Sequence, residues 1–282
     1  MVNQHVDPTA DWFWGNMTSS ESLGRLEGKV AIITGGGGAM GGAQARLFAA
    51  EGAAVCVADN RLEPAKAVAK EIVDAGGRAI VIELDVRESA AWRDVVSQTE
   101  RELGPVTVLC NNAGANFRVG FEEQTDEQFE LIMDVGLNGA FFGIKAVVPS
   151  MRKAGSGVIL NMGSLAAIRP GGGSPAYAAQ KMAMVGLTRS AANSFAKDNI
   201  RCVIISPGHV DTPFIRGNTE HSPNSWETSI DNPENFNRRL SNTPLGRLQQ
   251  PEDIANAFMF AATDDAAMIT GSMITVDGGA GM

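Results

Sequence analysis

KVAIITGGGGAMGGAQARLFAA, residues 29–50, joins three patterns without a break. Residues 29–34 are an apolar, β-branched run of strand length. Four consecutive glycines follow, and then a helical pattern with Ala43, Leu47, Phe48 and Ala50 on its apolar side. Strand, glycine loop and helix together favour a phosphate group. Glycines let the backbone turn tightly and approach a pyrophosphate, and the helix N-terminus stabilises its charge.

Working outward, the next apolar run, residues 54–59 (AVCVAD), ends in Asp59 about twenty residues beyond the loop. An acid there can accept hydrogen bonds from an adenosine ribose and repels a 2′-phosphate, which favours NAD over NADP. Arg61, two residues on, could swing to such a phosphate and is the counter-argument. The alternation continues with helical patterns over 64–75, 89–103, 125–153, 175–197 and 251–262. Strand patterns fall at 78–84, 106–110, 157–162, 200–205 and 272–276. Strand and helix in alternation predict an α/β fold with a doubly wound, Rossmann-like parallel sheet, as one domain over 25–282. Ligands of such sheets sit beyond the C-terminal strand ends. The glycine loop, Asp59, Asp85, Asn112, Ser164 and the segment SPGHVDT all follow strands, so one crevice should collect them.

Two stretches stand outside that rhythm. Residues 1–24 form an extension in which Trp12, Phe13 and Trp14 sit among polar residues. They read either as aromatics docking on this domain or a neighbouring subunit, or as incidental members of a flexible tail. Residues 214–243 are polar and rich in turn formers, and are expected to be an irregular insert serving as a substrate lid.

The chain of 282 residues carries a net charge of −9, which argues against nucleic acid or an anionic membrane as partner. No apolar run approaches the roughly 20 residues of a membrane span, and no Lys or Arg precedes Arg25, so no secretory signal is expected. Cys56, Cys110 and Cys202 each fall in a strand pattern, as small buried hydrophobes of a reducing, cytoplasmic compartment do. With no CxxC or HExxH and three histidines, no metal site is expected.

SLAAIRPGGGSPAYAAQK, residues 164–181, carries the chemistry. Tyr177 is the chain's one tyrosine, and Lys181 lies one helical turn further on the same face. An ammonium held close to a phenol favours the phenolate, so Lys181 is expected to lower the Tyr177 pKa and make it a general acid/base near neutrality. Ser164 follows a strand pattern, which puts its hydroxyl at a strand's C-terminal end.

These residues resemble the short-chain dehydrogenase/reductase family over about residues 26–280. Its glycine motif is similar to Thr34–Met40–Gly41, including Gly35 and Gly38, and its NNAG to Asn111–Gly114. Its catalytic serine, YxxxK and PGxVxT match Ser164, Tyr177 with Lys181, and Pro207, Gly208, Val210 and Thr212. The resemblance implies hydride exchange between NAD(H) and a secondary alcohol or ketone, with Tyr177 transferring the proton and Ser164 binding the substrate oxygen. It implies that Lys181 also holds the nicotinamide ribose and Thr212 the carboxamide, while Met40, Asp85, Val86, Asn112, Gly114, Pro207, Gly208 and Val210 complete the cofactor site. It implies a homodimer or homotetramer built on the two long helices, and it disfavours enoyl reduction, for which the related reductases space the lysine further from the tyrosine. Ala39 replaces a motif glycine, and Gly136 stands where the family has a catalytic asparagine. Asn138, about 200° round the helix, cannot substitute, and a water could occupy the space. A catalytically weak nucleotide-binding protein is the rival that Gly136 supports. The expected substrate wall is Leu165, Ile168, Arg169, Gly171–Gly173, Asn116, Phe117, His209, Phe214 and Trp226.

Overall fold

Strand β1 (Val30–Thr34) is buried at every residue, because helices cover both of its faces. It is an interior strand of a seven-stranded, wholly parallel sheet with β2 (Ala54–Asp59), β3 (Arg78–Glu83), β4 (Val108–Asn111), β5 (Gly157–Met162), β6 (Ile200–Pro207) and β7 (Met273–Val276). The spatial order is β3-β2-β1-β4-β5-β6-β7. Ile32 therefore lies beside Cys56 on one side and Leu109 on the other. The connection reverses direction between β1 and β4, and a crevice opens there at the C-terminal strand ends. The computed structural model describes residues 24–169 and 173–282. Trp12, Phe13, Trp14, Gly171 and Gly172 lie outside the described residues.

Strand side chains alternate between the two faces, so β1 feeds both cores. Ala31 and Ile33 join the layer under α1 (Ala39–Ala50), α2 (Leu62–Asp74) and α9 (Pro251–Ala262), centred on Phe48 and Phe258. Ile32 joins the opposite layer, where Trp92 of α3 (Ser89–Glu102), Ile132 of α4 (Asp126–Met133), Ile144 and Met151 of α5 (Gly139–Ala154) and Ala191 of α6 (Pro175–Phe195) pack. The three cysteines lie buried in β2, β4 and β6 without disulfides. Burial pushes the thiols of Cys56 and Cys202 up to about 12, so they are inert.

Three differences from the sequence reading concern the helices. The pattern over 125–153 is a helix broken by a π turn, Asp134–Asn138, between α4 and α5. Within Asp126–Ala154 an 18-residue window of mean hydropathy 1.6 is, by length and composition, apolar enough to cross a membrane, although polar residues interrupt its apolar run. Half of that window is buried in the fold, which accounts for its apolar character. Residues 214–243 are also less irregular than expected: α7 (Pro213–Arg216) leads into them and α8 (Pro233–Ser241) crosses them. The α8 signal is a local one, since Asn232 Oδ1 accepts from Glu234 N at 3.0 Å and Pro233 opens the helix.

Candidate active site

The glycine loop is fixed from beneath by Thr34. Its Oγ1 accepts from the backbone N–H groups of Asn112 (3.0 Å) and Ala113 (3.1 Å) and donates to the Cys110 carbonyl, joining the ends of β1 and β4. Gly35 has φ +62°, and a Cβ on Gly41 would stand 2.2 Å from the Gly35 carbonyl, so both positions require glycine. No side chain caps the start of α1, whose first N–H groups remain available to an anion. Asp59, 4% exposed, accepts from Gly37 N (3.0 Å) and Arg61 N (2.9 Å), which aims its carboxylate at the loop. The Arg61 guanidinium stands 3.7 Å from the same carboxylate.

A cavity of about 270 Å³ extends from this loop. Gly35, Gly38, Met40, Asp59, Asp85, Val86, Asn112, Gly114, Tyr177, Lys181 and Thr212 all line it. Arg87, not anticipated, lines it too and binds both oxygens of Asp85, holding that carboxyl below the usual range. Glu220 and His221 of the insert close its outer side, and the His221 carbonyl accepts from Asn116 N at 2.8 Å.

A second cavity, of about 470 Å³, adjoins the first. Ser164 lies on its wall, as do Pro207, Gly208 and Val210, which had been assigned to the cofactor. Tyr177, Thr212, Met40, Met162 and Phe214 line both cavities. Of the expected substrate wall, Leu165, Arg169, Asn116, His209 and Phe214 are present. Ile168, Phe117 and Trp226 do not line the cavity; Phe117 packs into the core and Trp226 is 61% exposed. Arg118, Arg238, Arg239 and Asn242 also line it, and no pattern in the sequence points to them. Arg238 and Arg239 became visible candidates only once α8 was seen to face the site.

Ser164 is placed by β5 and by its own hydroxyl, which accepts from Ala166 N at 3.1 Å. Tyr177 stands in the first turn of α6, whose N-cap, Ser174, accepts from Tyr177 N. The tyrosine is half-buried. Burial raises the phenol above its ordinary value, while the Ser164 hydroxyl and the Arg118 charge pull it down. This corrects the expectation that Lys181 would depress it. The buried Lys181 ammonium lies 5.4 Å from the ring centroid, donates to the Met162 carbonyl at 2.8 Å, and is itself pushed down to about 8 by burial.

The space beside Gly136 is filled by protein. A Cβ there would meet Gln180 Cδ at 2.6 Å, and Gln180 is 1% exposed, its buried Nε2 having no partner among the described residues. The Gln180 carboxamide thus occupies the room in which a water was expected. Asn138 is exposed and donates to Asp134 Oδ1 at 2.7 Å, well away from the site.

A family model described as enoyl-(acyl carrier protein) reductase matches residues 37–281. The 2,5-dichloro-2,5-cyclohexadiene-1,4-diol dehydrogenase LinX of Sphingobium indicum is 39% identical over 90% of this chain and 97% of its own length. The chain belongs to the short-chain dehydrogenase/reductase family. The 4-formylbenzenesulfonate dehydrogenase of Comamonas testosteroni is 36% identical over 90% of this chain and 98% of its own. Among solved structures, a protein assigned as an NAD(P)-dependent gluconate 5-dehydrogenase from Beutenbergia cavernae, with NADP bound at low occupancy, superposes with TM-score 0.81. It is 30% identical over 90% of this chain and 97% of its own. A short-chain dehydrogenase/reductase of Burkholderia xenovorans matches with TM-score 0.81 and 32% identity over 91% and 98%. This short-chain dehydrogenase/reductase is accordingly an NAD(P)-dependent oxidoreductase that acts on small organic substrates by hydride transfer.

Proposed function

We propose that the enzyme interconverts a secondary alcohol and its ketone, with Tyr177 moving the proton. One observation carries this reading: Tyr177 stands in the wall shared by the two cavities, with Lys181 on the cofactor side and Ser164 on the other. The first cavity fits a nicotinamide dinucleotide, because Gly35 and Gly38 line it without side chains, a Cβ at Gly41 would push the Gly35 carbonyl out of place, and the helix start beside it is uncapped. Gly35, Gly38 and the first turn of α1 would hold the pyrophosphate, Asp59 the adenosine ribose, Lys181 the nicotinamide ribose and Thr212 the carboxamide. The bound nicotinamide supplies or accepts the hydride. Ser164 donates a hydrogen bond to the substrate oxygen, and Tyr177 gives a proton to that oxygen in reduction or takes it in oxidation. Arg118, whose charge favours the phenolate, stabilises the deprotonated form.

The buried Asp59 supports NAD over NADP. The expected preference is at least about tenfold in kcat/KM, or roughly 1.4 kcal/mol. Equal efficiency would mean that Arg61 leaves Asp59 and takes the 2′-phosphate. Phe129, Phe141 and Met182, apolar residues exposed on α4, α5 and α6, support assembly into a dimer or tetramer through those helices. The buried free cysteines suit a reducing cytoplasm. The decisive assay follows absorbance at the NADH band with a panel of secondary alcohols. Cofactor binding without turnover on any of them would favour a nucleotide-binding protein that has kept the fold.

A further inference from the structure

The substrate cavity has an unusual charge. Four arginines line it, Arg118, Arg169, Arg238 and Arg239, and among the described residues no aspartate or glutamate does. Elsewhere in this acidic chain the arginines are commonly neutralised: Arg25, Arg46, Arg87, Arg152, Arg216 and Arg247 each meet a carboxylate at 2.5–2.9 Å. Among the described residues the four cavity arginines meet none. Arg118 donates to the Phe214 carbonyl (2.8 Å) and Ser222 Oγ (2.9 Å), Arg169 to the Ala280 carbonyl (2.9 Å), and Arg238 to Asn235 Oδ1 (2.5 Å). Among the described residues Arg239 reaches only His209 Nδ1, at 3.5 Å, and its buried Nε has no partner there, nor has that of Arg118.

Backbone carbonyls and amides satisfy the geometry of a guanidinium but leave its charge in place. The like charges act on one another: Arg239 on Arg118, and Arg238 on Arg239, each opposing the charge of its neighbour. His209 is held down to about 4 by burial and then by the same arginines, so it stays neutral near pH 7 and adds no positive charge. A chain with net charge −9 has nonetheless collected unneutralised cations in a partly buried recess next to its reacting groups. Their desolvation and mutual repulsion are relieved when an anion enters. The cofactor's phosphates are not that anion. The glycine loop lines the other cavity, and none of the four arginines does.

We infer that the substrate is an organic acid: a secondary alcohol or ketone bearing a carboxylate or equivalent oxyanion, which Arg239 and Arg238 hold while the reacting carbon faces Ser164 and Tyr177. The placement of the reacting end rests on the reading of Ser164 and Tyr177 given above. The charge preference does not. Arg238 and Arg239 lie on α8, and Arg118 ties the Phe214 end of the same insert to the loop after β4. The insert thereby supplies a recognition group of defined sign.

Binding can be tested apart from turnover. Protein saturated with NADH is titrated calorimetrically with benzoate, cyclohexanecarboxylate and hexanoate, each against its uncharged amide, and with benzenesulfonate. At least one carboxylate should bind about tenfold or more tightly than its amide, roughly the worth of one charge-assisted contact. Arg239→Met and the double variant Arg238→Met/Arg239→Met should abolish that ratio without lowering Tm, and the remote Arg152→Met should keep it. Tighter binding of benzenesulfonate than benzoate would identify the preferred oxyanion as a sulfonate. Acid and amide binding alike, no binding across the series, or a ratio that survives in both variants would overturn the inference. Failure of the oxidoreductase reading would look different: a charge preference in binding, yet no NADH oxidation with any oxo acid or neutral ketone.

Discussion

At the scale of single residues, the pH dependence follows from what surrounds one phenol. Burial raises Tyr177, so its basic form is scarce at neutral pH, and oxidation, which needs that form, should quicken from neutral into alkaline pH. A nearby cation moves the limb the other way, so Arg118→Met should shift it to higher pH in the kcat/KM profile. Tyr177→Phe removes only the hydroxyl. It should cost on the order of 10² to 10⁴ in turnover with NADH binding intact by fluorescence titration, and retention of a tenth of the wild-type rate would exclude general acid/base catalysis by this residue at that magnitude. Gly136 allows a different kind of test, because Gln180 fills its space. Gly136→Asn should destabilise by about 1–3 kcal/mol through overpacking, and adding Gln180→Ser should recover part of that loss. Additive effects in urea unfolding would show that the two positions do not share one space.

At the scale of elements, the insert over residues 214–243 is held by its own hydrogen bonds more than by a core. Asn224 Nδ2 donates to the carbonyls of Phe214 (3.1 Å), Gly217 (2.6 Å) and Ser222 (3.2 Å). Arg216 pairs with Asp211 at 2.5 Å and also with Asp231. Such a segment can open locally while the sheet stays folded. Asn224→Ala leaves the Gly217 carbonyl without its donor among the described residues, while Phe214 keeps Arg118 and Ser222 Oγ; the loss of about 1–3 kcal/mol should speed limited proteolysis within the insert while Tm hardly moves. A uniform fall in Tm with no change in cleavage rate would mean that the insert and the sheet unfold together. Below the site, a buried amide chain ties the elements that carry it: Asn111 donates to Asn161 Oδ1 at 2.8 Å, and Asn161 to Thr188 Oγ1 at 2.9 Å, joining β4, β5 and α6.

At the scale of the whole molecule, the exposed Phe129, Phe141 and Met182 bear on assembly. Light scattering at micromolar concentration should give a dimer or tetramer of the 29.7 kDa chain, and a mass of one chain would remove the proposed interface. Phe141→Glu should shift the mass toward the single chain, because a charge in an apolar contact is left unpaired.

The sheet, the glycine cradle and the positions of Ser164, Tyr177 and Lys181 are legible in the chain of residues. Those features rest on short-range patterns: a continuous apolar run for a doubly covered strand, glycine where no Cβ fits, and a one-turn spacing on a helix. Tertiary structure alone decided what depends on contacts between distant residues. Arg118, Arg238 and Arg239 are ordinary surface-type residues in the chain, and only the fold of the insert over β4 and β6 gathers them into one cavity. The direction of the tyrosine's pKa is set by burial, which raises it against the pull of Ser164 and Arg118, a balance that the one-turn spacing to Lys181 does not report. Gln180 filling the space at Gly136 is likewise a contact across 44 positions, set by how α6 packs against the π turn and marked by no local pattern.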